Sequence, residues 1–249
     1  MSAHPPIVIL TARELDYKAV RDRLSGIREP PGASGTRFEV GSLGAGEVVL
    51  AVSGEGTQGA AALAERVIRV FAPRAVFFVG MAEALKPGVR PGDVVVATRV
   101  YADRPGKWVW QMDHGLERTA RRIARHREGG PRIHVGAVTA SGMGEPDALA
   151  IETDYAAVAK AGAVPAAVIR AISCGNEASA ADFALALASD LIARQPPAGK
   201  EPREAPDIRM KSKGARPGVV AGLIGGGVRN QNKRPGWSSG PGREERGRR

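Results

Sequence analysis

Short apolar runs alternate with amphipathic runs along the first 195 residues. The apolar runs predict strands at IVIL (7–10), AVFFVG (75–80), DVVVATRVY (93–101), HVGAVTAS (134–141), ALAIE (148–152) and PAAVIRAIS (165–173). RFEVGSL (37–43) and EVVLAVS (47–53) predict a hairpin around Gly44 and Gly46. The run 75–80 is apolar on both faces, which is typical of a strand covered on both sides of a sheet.

The amphipathic runs predict helices between these strands. They are RELDYKAVRDRL (13–24), AAALAERVIRVF (60–71), LERTARRIARH (116–126), DYAAVAKAG (154–162) and SAADFALALASDLIARQ (179–195). Strands alternating with helices indicate one α/β domain over residues 1–195, with a parallel or mixed central sheet.

Residues 196–249 differ in composition from the rest of the chain. They contain 11 Gly and 7 Pro in 54 residues, and 13 Lys/Arg against 5 Asp/Glu. This composition predicts a disordered basic tail. Most of the net charge of +10 belongs to this segment, because residues 1–195 carry 23 basic and 21 acidic residues. We expect the tail to bind polyanions weakly, and a nucleic-acid-associated protein is the third interpretation of the sequence.

Cysteine content and hydropathy limit the remaining classes of protein. Cys174 is the only cysteine, so an internal disulfide is excluded. No apolar run reaches the roughly 20 residues that span a membrane, and IVIL is too short for a signal peptide. We therefore expect a cytoplasmic protein. No His or Cys pair has metal-ligand spacing, so we expect no metal and no cofactor.

Two local motifs carry candidate chemistry. GEGTQG (54–59) fits the spacing of a dinucleotide fingerprint, but it follows the third strand and no acidic residue ends the next one. A small anion or a ribose beside its backbone amides suits it better, beginning at Gly54. Cys174 follows the strand VIRAIS, where it is a nucleophile, a small buried residue, or a replacement for another residue.

Five segments in order resemble the superfamily of purine nucleoside phosphorylases and methylthioadenosine/S-adenosylhomocysteine nucleosidases. They are VILTARELDYKAVRDRL, VVLAVSGEGTQGAAALAERVI, AVFFVGMAEALKPGVRPGDVVVATRVY, IHVGAVTASG and ALAIETDYAAVAKAGAVPAAVIRAIS. The resemblance covers about residues 7–195. It implies a three-layer α/β sandwich with a central mixed sheet, usually in a homo-oligomer. It also implies cleavage of the bond between ribose C1′ and a purine, by water or by phosphate.

The resemblance assigns roles to individual positions. The water-activating glutamate of the family falls on Asp16, and its V-E-M-E ribose motif falls on Glu152, Thr153 and Asp154 in I-E-T-D. Its R-A-I-S-D motif falls on R-A-I-S-C, so Cys174 stands where the family has the aspartate that protonates the purine. Further substrate contacts are implied for residues in the matching segments: Gly54, Met81, Ala82 and Ser173.

Departures from the family pattern lead to two hypotheses. Asp16 and Asp154 are each one methylene shorter than glutamate, Cys174 is a poor acid, and Glu83 and Ala84 replace glycines. No phosphate-binding arginine stands in VGMA, which favours hydrolysis over phosphorolysis. The first hypothesis is a divergent nucleosidase for an adenine-type purine nucleoside. The alternative is a catalytically silent nucleoside-binding module of a signalling or defence system.

Overall fold

A computed structural model describes residues 4–30, 37–54, 57–101, 108–126, 129–140, 145–151, 161–162, 164–172 and 177–194. The strands are β1 Ile7–Thr11, β2 Ser25–Arg28, β3 Phe38–Leu43, β4 Gly46–Val52, β5 Ala75–Ala84, β6 Val94–Tyr101, β7 Trp108–Gln111, β8 Ile133–Thr139, β9 Ala148–Ile151 and β10 Ala166–Ile172. The helices are α1 Glu14–Arg21, α2 Thr57–Phe71, α3 His114–His126 and α4 Glu177–Ala193.

The ten strands form one mixed sheet. Strand β1 lies between β4 and β5 and is parallel to both, and β5 is in turn parallel to β10. Strand β10 pairs antiparallel with β6, β6 pairs in parallel with β8, and β8 pairs in parallel with β9. Strand β9 returns antiparallel to the end of β5. The strands β5, β10, β6, β8 and β9 therefore close into a ring, whereas β1, β4, β3 and β2 extend as an open sheet.

The apolar runs of the sequence form the centre of this sheet. Every residue of β1 and β10 is buried, as expected for strands covered on both faces. Helix α4 packs against β10 and β5, and α1 packs against α4. This packing brings the first turns of α1 and α4 close together at one edge of the sheet.

The predicted α/β class with a mixed central sheet is confirmed, with two additions. Strands β2 and β7 were not predicted, because SGIR (25–28) and WVWQ (108–111) are short and neither alternates over a long enough run. Strand β5 continues to Ala84, so MAEA is part of the strand. The predicted helix 154–162 and the tail 196–249 lie almost entirely outside the described residues, and the domain boundary after residue 195 stays a prediction. No helix in the described ranges is long and apolar enough to cross a membrane.

Candidate functional site

The carboxyl ends of four parallel strands meet at one edge of the sheet. In the register of the sheet, Thr11 at the end of β1 lies beside Val52 of β4 and Val79 of β5, and Gly80 lies beside Arg170 of β10. Ligands of open α/β sheets bind outside the carboxyl ends of the strands. The side chains at this edge are therefore the first place to look for chemistry.

Asp16 is a buried carboxylate at this edge. It lies in the first turn of α1, two residues after the helix begins, and is 2% exposed. Its Oδ2 atom accepts no hydrogen bond from the described residues, and the nearest cationic atom recorded is Nε of Arg13 at 3.8 Å. Burial raises the pKa of Asp16 to about 6, although the positive charges of Arg13 and Arg170 oppose the rise. A carboxylate with a pKa near neutrality and a free lone pair can serve as a general base.

Arg170 places a second charge beside Asp16. It lies in the middle of β10, is 3% exposed, and donates from Nη1 to the carbonyl oxygen of Phe78 at 2.8 Å. Gly80 faces both groups: a Cβ atom added there would lie 3.3 Å from Arg170 Nη1 and 3.8 Å from Asp16 Oδ2. The absence of a side chain at Gly80 therefore gives the guanidinium and the carboxylate room to share one space.

Arg13 spans the rim of the site. Its Nη1 donates to Sδ of Met81 at 2.6 Å, and its Nη2 donates to Oε1 of Glu177 at 3.0 Å. The side chain is 29% exposed, so it forms the boundary between Asp16 and solvent. Glu177 is the first residue of α4, and its negative charge raises the pKa of Asp16 further. The Arg13 side chain thus connects α1, β5 and α4 around the buried carboxylate.

A small cavity lies at the same strand ends. Its volume is about 20 Å³, and its polar lining comes from Thr11, Ser53 and Arg170. The Oγ1 atom of Thr11 is buried there and has no hydrogen-bond partner among the described residues. Ser53 Oγ lies within hydrogen-bonding distance of the carbonyl oxygens of Gly54, at 2.8 Å, and Thr11, at 3.3 Å. A cavity above about 10–15 Å³ can hold a water molecule when polar groups surround it. This cavity has the size and the lining for one water.

Four residues of the predicted site are described. Asp16 and Met81 are brought together through Arg13, and Ala82 pairs with Ile172 at the end of β10. Gly54 follows the cavity-lining Ser53, is exposed, and has a φ of +75°. That φ lies in the left-handed region, which glycine adopts without strain.

The other predicted residues lie outside the described residues. They are Glu152, Thr153, Asp154, Ser173 and Cys174. The last described residue before each of these two segments lies on a strand of the ring. Ile151 precedes the first segment and pairs with Glu83, and Ile172 precedes the second and pairs with Ala82. The chain therefore enters both segments from adjacent positions on β5.

Sequence reasoning missed Arg13, Arg170 and Glu177. Arg170 did carry a signal, because a charged residue in the otherwise apolar strand AAVIRAI is rare unless it is paired. Arg13 and Glu177 carried no such signal, because each lies at the start of a helix, where charged residues are common. Only the packing of α1 against α4 makes them neighbours.

We predict that Gly80→Ala changes the pKa of Asp16 while the protein stays folded. The new Cβ would press on Arg170 Nη1 at 3.3 Å, so the guanidinium would have to move relative to the Asp16 carboxylate. Gly88→Ala is the matched control, since a Cβ there meets nothing within 4 Å. The measurement is the titration of the Asp16 carboxyl carbon by NMR alongside thermal unfolding. Equal pKa values of Asp16 in the two variants would contradict the placement of Gly80 against these two groups.

The sequence matches one family model over more than half of its length. Residues 6–144 match the Phosphorylase superfamily. The chain belongs to that superfamily. The resemblance inferred from the sequence is therefore confirmed. The ends of β1, β4 and β5 lie within the matched region, whereas the end of β10 lies beyond it. A comparison with curated protein sequences finds no significant match.

Solved structures of superfamily members share this fold. A 5′-methylthioadenosine/S-adenosylhomocysteine nucleosidase from S. pneumoniae, with a transition-state inhibitor, has a TM-score of 0.64 and 21% identity over 75% of this chain and 99% of its own. A futalosine hydrolase mutant from Helicobacter pylori has a TM-score of 0.63 and 20% identity over 74% and 97%. The nucleosidase from Neisseria meningitidis, in complex with methylthio-immucillin-A, has a TM-score of 0.60 and 23% identity over 76% and 97%.

No metal centre is evident in the described part of the chain. Those residues contain no group of three or more His, Cys, Asp and Glu side chains that could hold a metal ion. The charged groups at the strand ends are instead two arginines and two carboxylates, which suit proton transfer and charge stabilisation.

Proposed function

We propose that the protein hydrolyses the N-glycosidic bond of an adenine-type purine nucleoside, with Asp16 as the base that activates water. The observation that carries this proposal is the buried Asp16 carboxylate at the strand ends of a Phosphorylase superfamily fold, whose Oδ2 accepts no hydrogen bond from the described residues and whose pKa is about 6. At neutral pH such a carboxylate is mostly ionised and can remove a proton from water as the bond to the base breaks.

Two observations favour water over phosphate as the nucleophile. The cavity beside Thr11 and Ser53 has a volume of about 20 Å³ and a polar lining, which suit one water at the strand ends. In addition, no arginine stands in VGMA, where the resemblance would place a phosphate-binding cation.

The roles at the sugar and the base rest on the resemblance. Cleavage passes through an oxocarbenium-like ribose, so a carboxylate near the sugar stabilises charge, and we assign that role to Asp154 with Glu152. The departing purine needs a proton, and Cys174 occupies the position of the proton donor. The names of the nucleosidases with the same fold support an adenine nucleoside as the substrate class. The homo-oligomer and the cytoplasmic location stay predictions.

A silent nucleoside-binding module is the second candidate. It is favoured by a thiol in the place of the proton donor, since loss of general-acid help costs about 10²–10⁴-fold in rate. It is also favoured by the Arg13 side chain, which lies across the rim between Met81 and Glu177. In such a protein, Asp16 and Arg170 would still shape a pocket for a nucleoside.

A panel of nucleosides assayed by chromatography, with and without phosphate, tests the proposal. Release of adenine from one of them without phosphate, and its loss in Asp16→Asn, is the expected result. Release that requires phosphate would overturn hydrolysis. Thermal stabilisation by a nucleoside without any release would favour the binding module, and neither release nor stabilisation would refute both.

We predict that Arg13→Met and Glu177→Gln move the pKa of Asp16 in opposite directions. Arg13 lowers this pKa and Glu177 raises it, while Arg170 lowers it from β10 in all variants. Removing the cation should therefore raise the pKa above about 6, and removing the anion should lower it. Because the active form of Asp16 is ionised, the acid limb of kcat/KM should shift to higher pH in the first variant and to lower pH in the second.

The carboxyl 13C signal of Asp16, titrated by NMR, measures the same shifts without any need for activity. Lys18→Met is the control, because it removes an exposed positive charge from the same helix. Shifts of both site variants in one direction, or a shift of the control as large as theirs, would disprove the arrangement of charges around Asp16.

A further inference from the structure

Helix α3 presents a row of arginines on one side. Arg118, Arg121, Arg122 and Arg125 are spaced by three, four and seven residues, which places them on neighbouring turns of one face. Together with Arg194 at the end of α4 they line a groove of about 390 Å³. The distance along the helix from Arg118 to Arg125 is about 10 Å, given a rise of about 1.5 Å per residue.

The positive charge of this groove is only partly balanced. Asp190 forms ion pairs with both Arg122 and Arg194, and Glu117 forms one with Arg121. Arg118 and Arg125 form no ion pair with any residue in the described ranges. Among the described residues of the groove, five arginines against two paired carboxylates leave a local excess of three positive charges.

This excess is concentrated in one place. Residues 1–195 as a whole carry 23 basic and 21 acidic residues, a balance of +2. The excess of three in the groove therefore exceeds the balance of +2 for residues 1–195, and the other residues of that range together are close to neutral. Localised positive charge attracts polyanions to one surface and does not merely increase solubility.

We propose that the groove between α3 and the end of α4 binds the phosphate backbone of a nucleic acid without reading its sequence. A guanidinium presents a planar fork of donors that matches phosphate oxygens, and every cation lining this groove is an arginine. A row about 10 Å long spans more than one phosphate, since duplex DNA carries one negative charge per roughly 1.7 Å of axis. The groove shares no residue with the site around Asp16, so the proposal is independent of the nucleosidase activity.

Two further observations favour this partner. Residues 196–249 follow Arg194 closely in the chain and contain 13 Lys/Arg against 5 Asp/Glu, so a second basic segment is covalently attached to the groove. A lipid surface is disfavoured, because membrane-binding helices combine basic with exposed apolar residues. The large apolar side chains that are exposed in the described residues, Leu15 and Val70, lie on α1 and α2 instead.

Fluorescence anisotropy of a labelled mixed-sequence DNA duplex with the full-length chain tests the proposal. Arg118→Gln/Arg125→Gln removes the two arginines of the groove that form no ion pair with a described residue. We expect about tenfold weaker binding near 0.1 M salt, and a plot of log affinity against log salt that is shallower by about 0.9 per lost contact. The matched control is Arg69→Gln/Arg90→Gln, which removes two exposed arginines that lie away from the groove. The control should keep the wild-type affinity and slope.

Three results would overturn the proposal. They are an absence of binding by the wild type, equal losses in the groove variant and the control, and equal binding of polyglutamate at the same salt concentration. The second would show that other basic residues bind the duplex, and the third would identify an acidic peptide as the partner. Circular dichroism of both variants ensures that a loss of binding is not a loss of fold.

Discussion

Asp16→Asn is expected to reduce release of the base by at least about 10²-fold, within the range of 10²–10⁴ for loss of a general base. Asparagine keeps the shape of the side chain but cannot accept the proton of water. Arg13 and Arg170 stay in place around it, so the pocket itself should survive. The measurement is kcat/KM for the nucleoside that the wild type cleaves. Retention of more than a tenth of the wild-type activity would refute the role of Asp16.

The same substitution should make the folded state more stable at neutral and alkaline pH. The pKa of Asp16 is raised from 3.8 to about 6 on folding, so the unfolded state releases its proton more readily. Ionisation of the buried carboxylate therefore lowers the free energy of unfolding. This destabilisation is small below pH 4, grows between pH 4 and 6, and reaches about 3 kcal/mol at higher pH. Asp16→Asn removes this cost, so its stability relative to the wild type should rise with pH across that window.

Urea unfolding at pH 4 and pH 8 measures this difference. Asp22→Asn is the control, because Asp22 is exposed and stands at the other end of the same helix. If Asp16→Asn is less stable than the wild type at pH 8, the buried carboxylate is stabilised by groups outside the described residues. That result would contradict the free lone pair on which the mechanism depends.

Cys174→Asp is expected to raise base release by about 10²–10⁴-fold, the typical contribution of a general acid. The thiol, with an ordinary pKa of about 8.5, is a weak proton donor to a departing purine, whereas a carboxyl group can be tuned to the task. The effect should appear in kcat, because protonation of the leaving group assists the transition state and not the binding of the substrate.

Cys174→Asn is the control for this gain, since it has the size of aspartate but cannot donate a carboxyl proton. An increase in Cys174→Asp alone would establish that the pocket is otherwise intact. Unchanged rates in both variants, with nucleoside binding preserved, would favour the binding module over the enzyme.

The predictability of the fold differed from element to element for physical reasons. Strands β1, β5 and β10 were predictable from the sequence, because short continuous apolar runs are typical of strands that are covered on both faces. Strand β2 was not, because SGIR is mostly exposed and becomes a strand only by pairing with β3. A strand that is fixed by its partner leaves little pattern in its own residues.

The candidate site was predictable only where one residue acts alone. Asp16 could be assigned by resemblance, because its position relative to β1 is set within a few residues of the chain. The Arg13–Glu177 ion pair joins residues far apart in sequence, and Arg170 lies near Asp16 only because β5 is the single strand between β10 and β1. Such neighbours depend on strand order and helix packing, which the local periodicity of a single sequence does not encode.

The ring of strands has a consequence for how the protein acquires its pocket. Strand β10 comes late in the chain, yet it lies between β5 and β6 and carries the guanidinium that faces Asp16. During synthesis, the edges of β5 and β6 that β10 later covers stay unpaired until Ile172 has left the ribosome. Until then, these two edges can pair with strands of other chains. The step that covers these exposed edges is therefore also the step that places Arg170 beside Asp16.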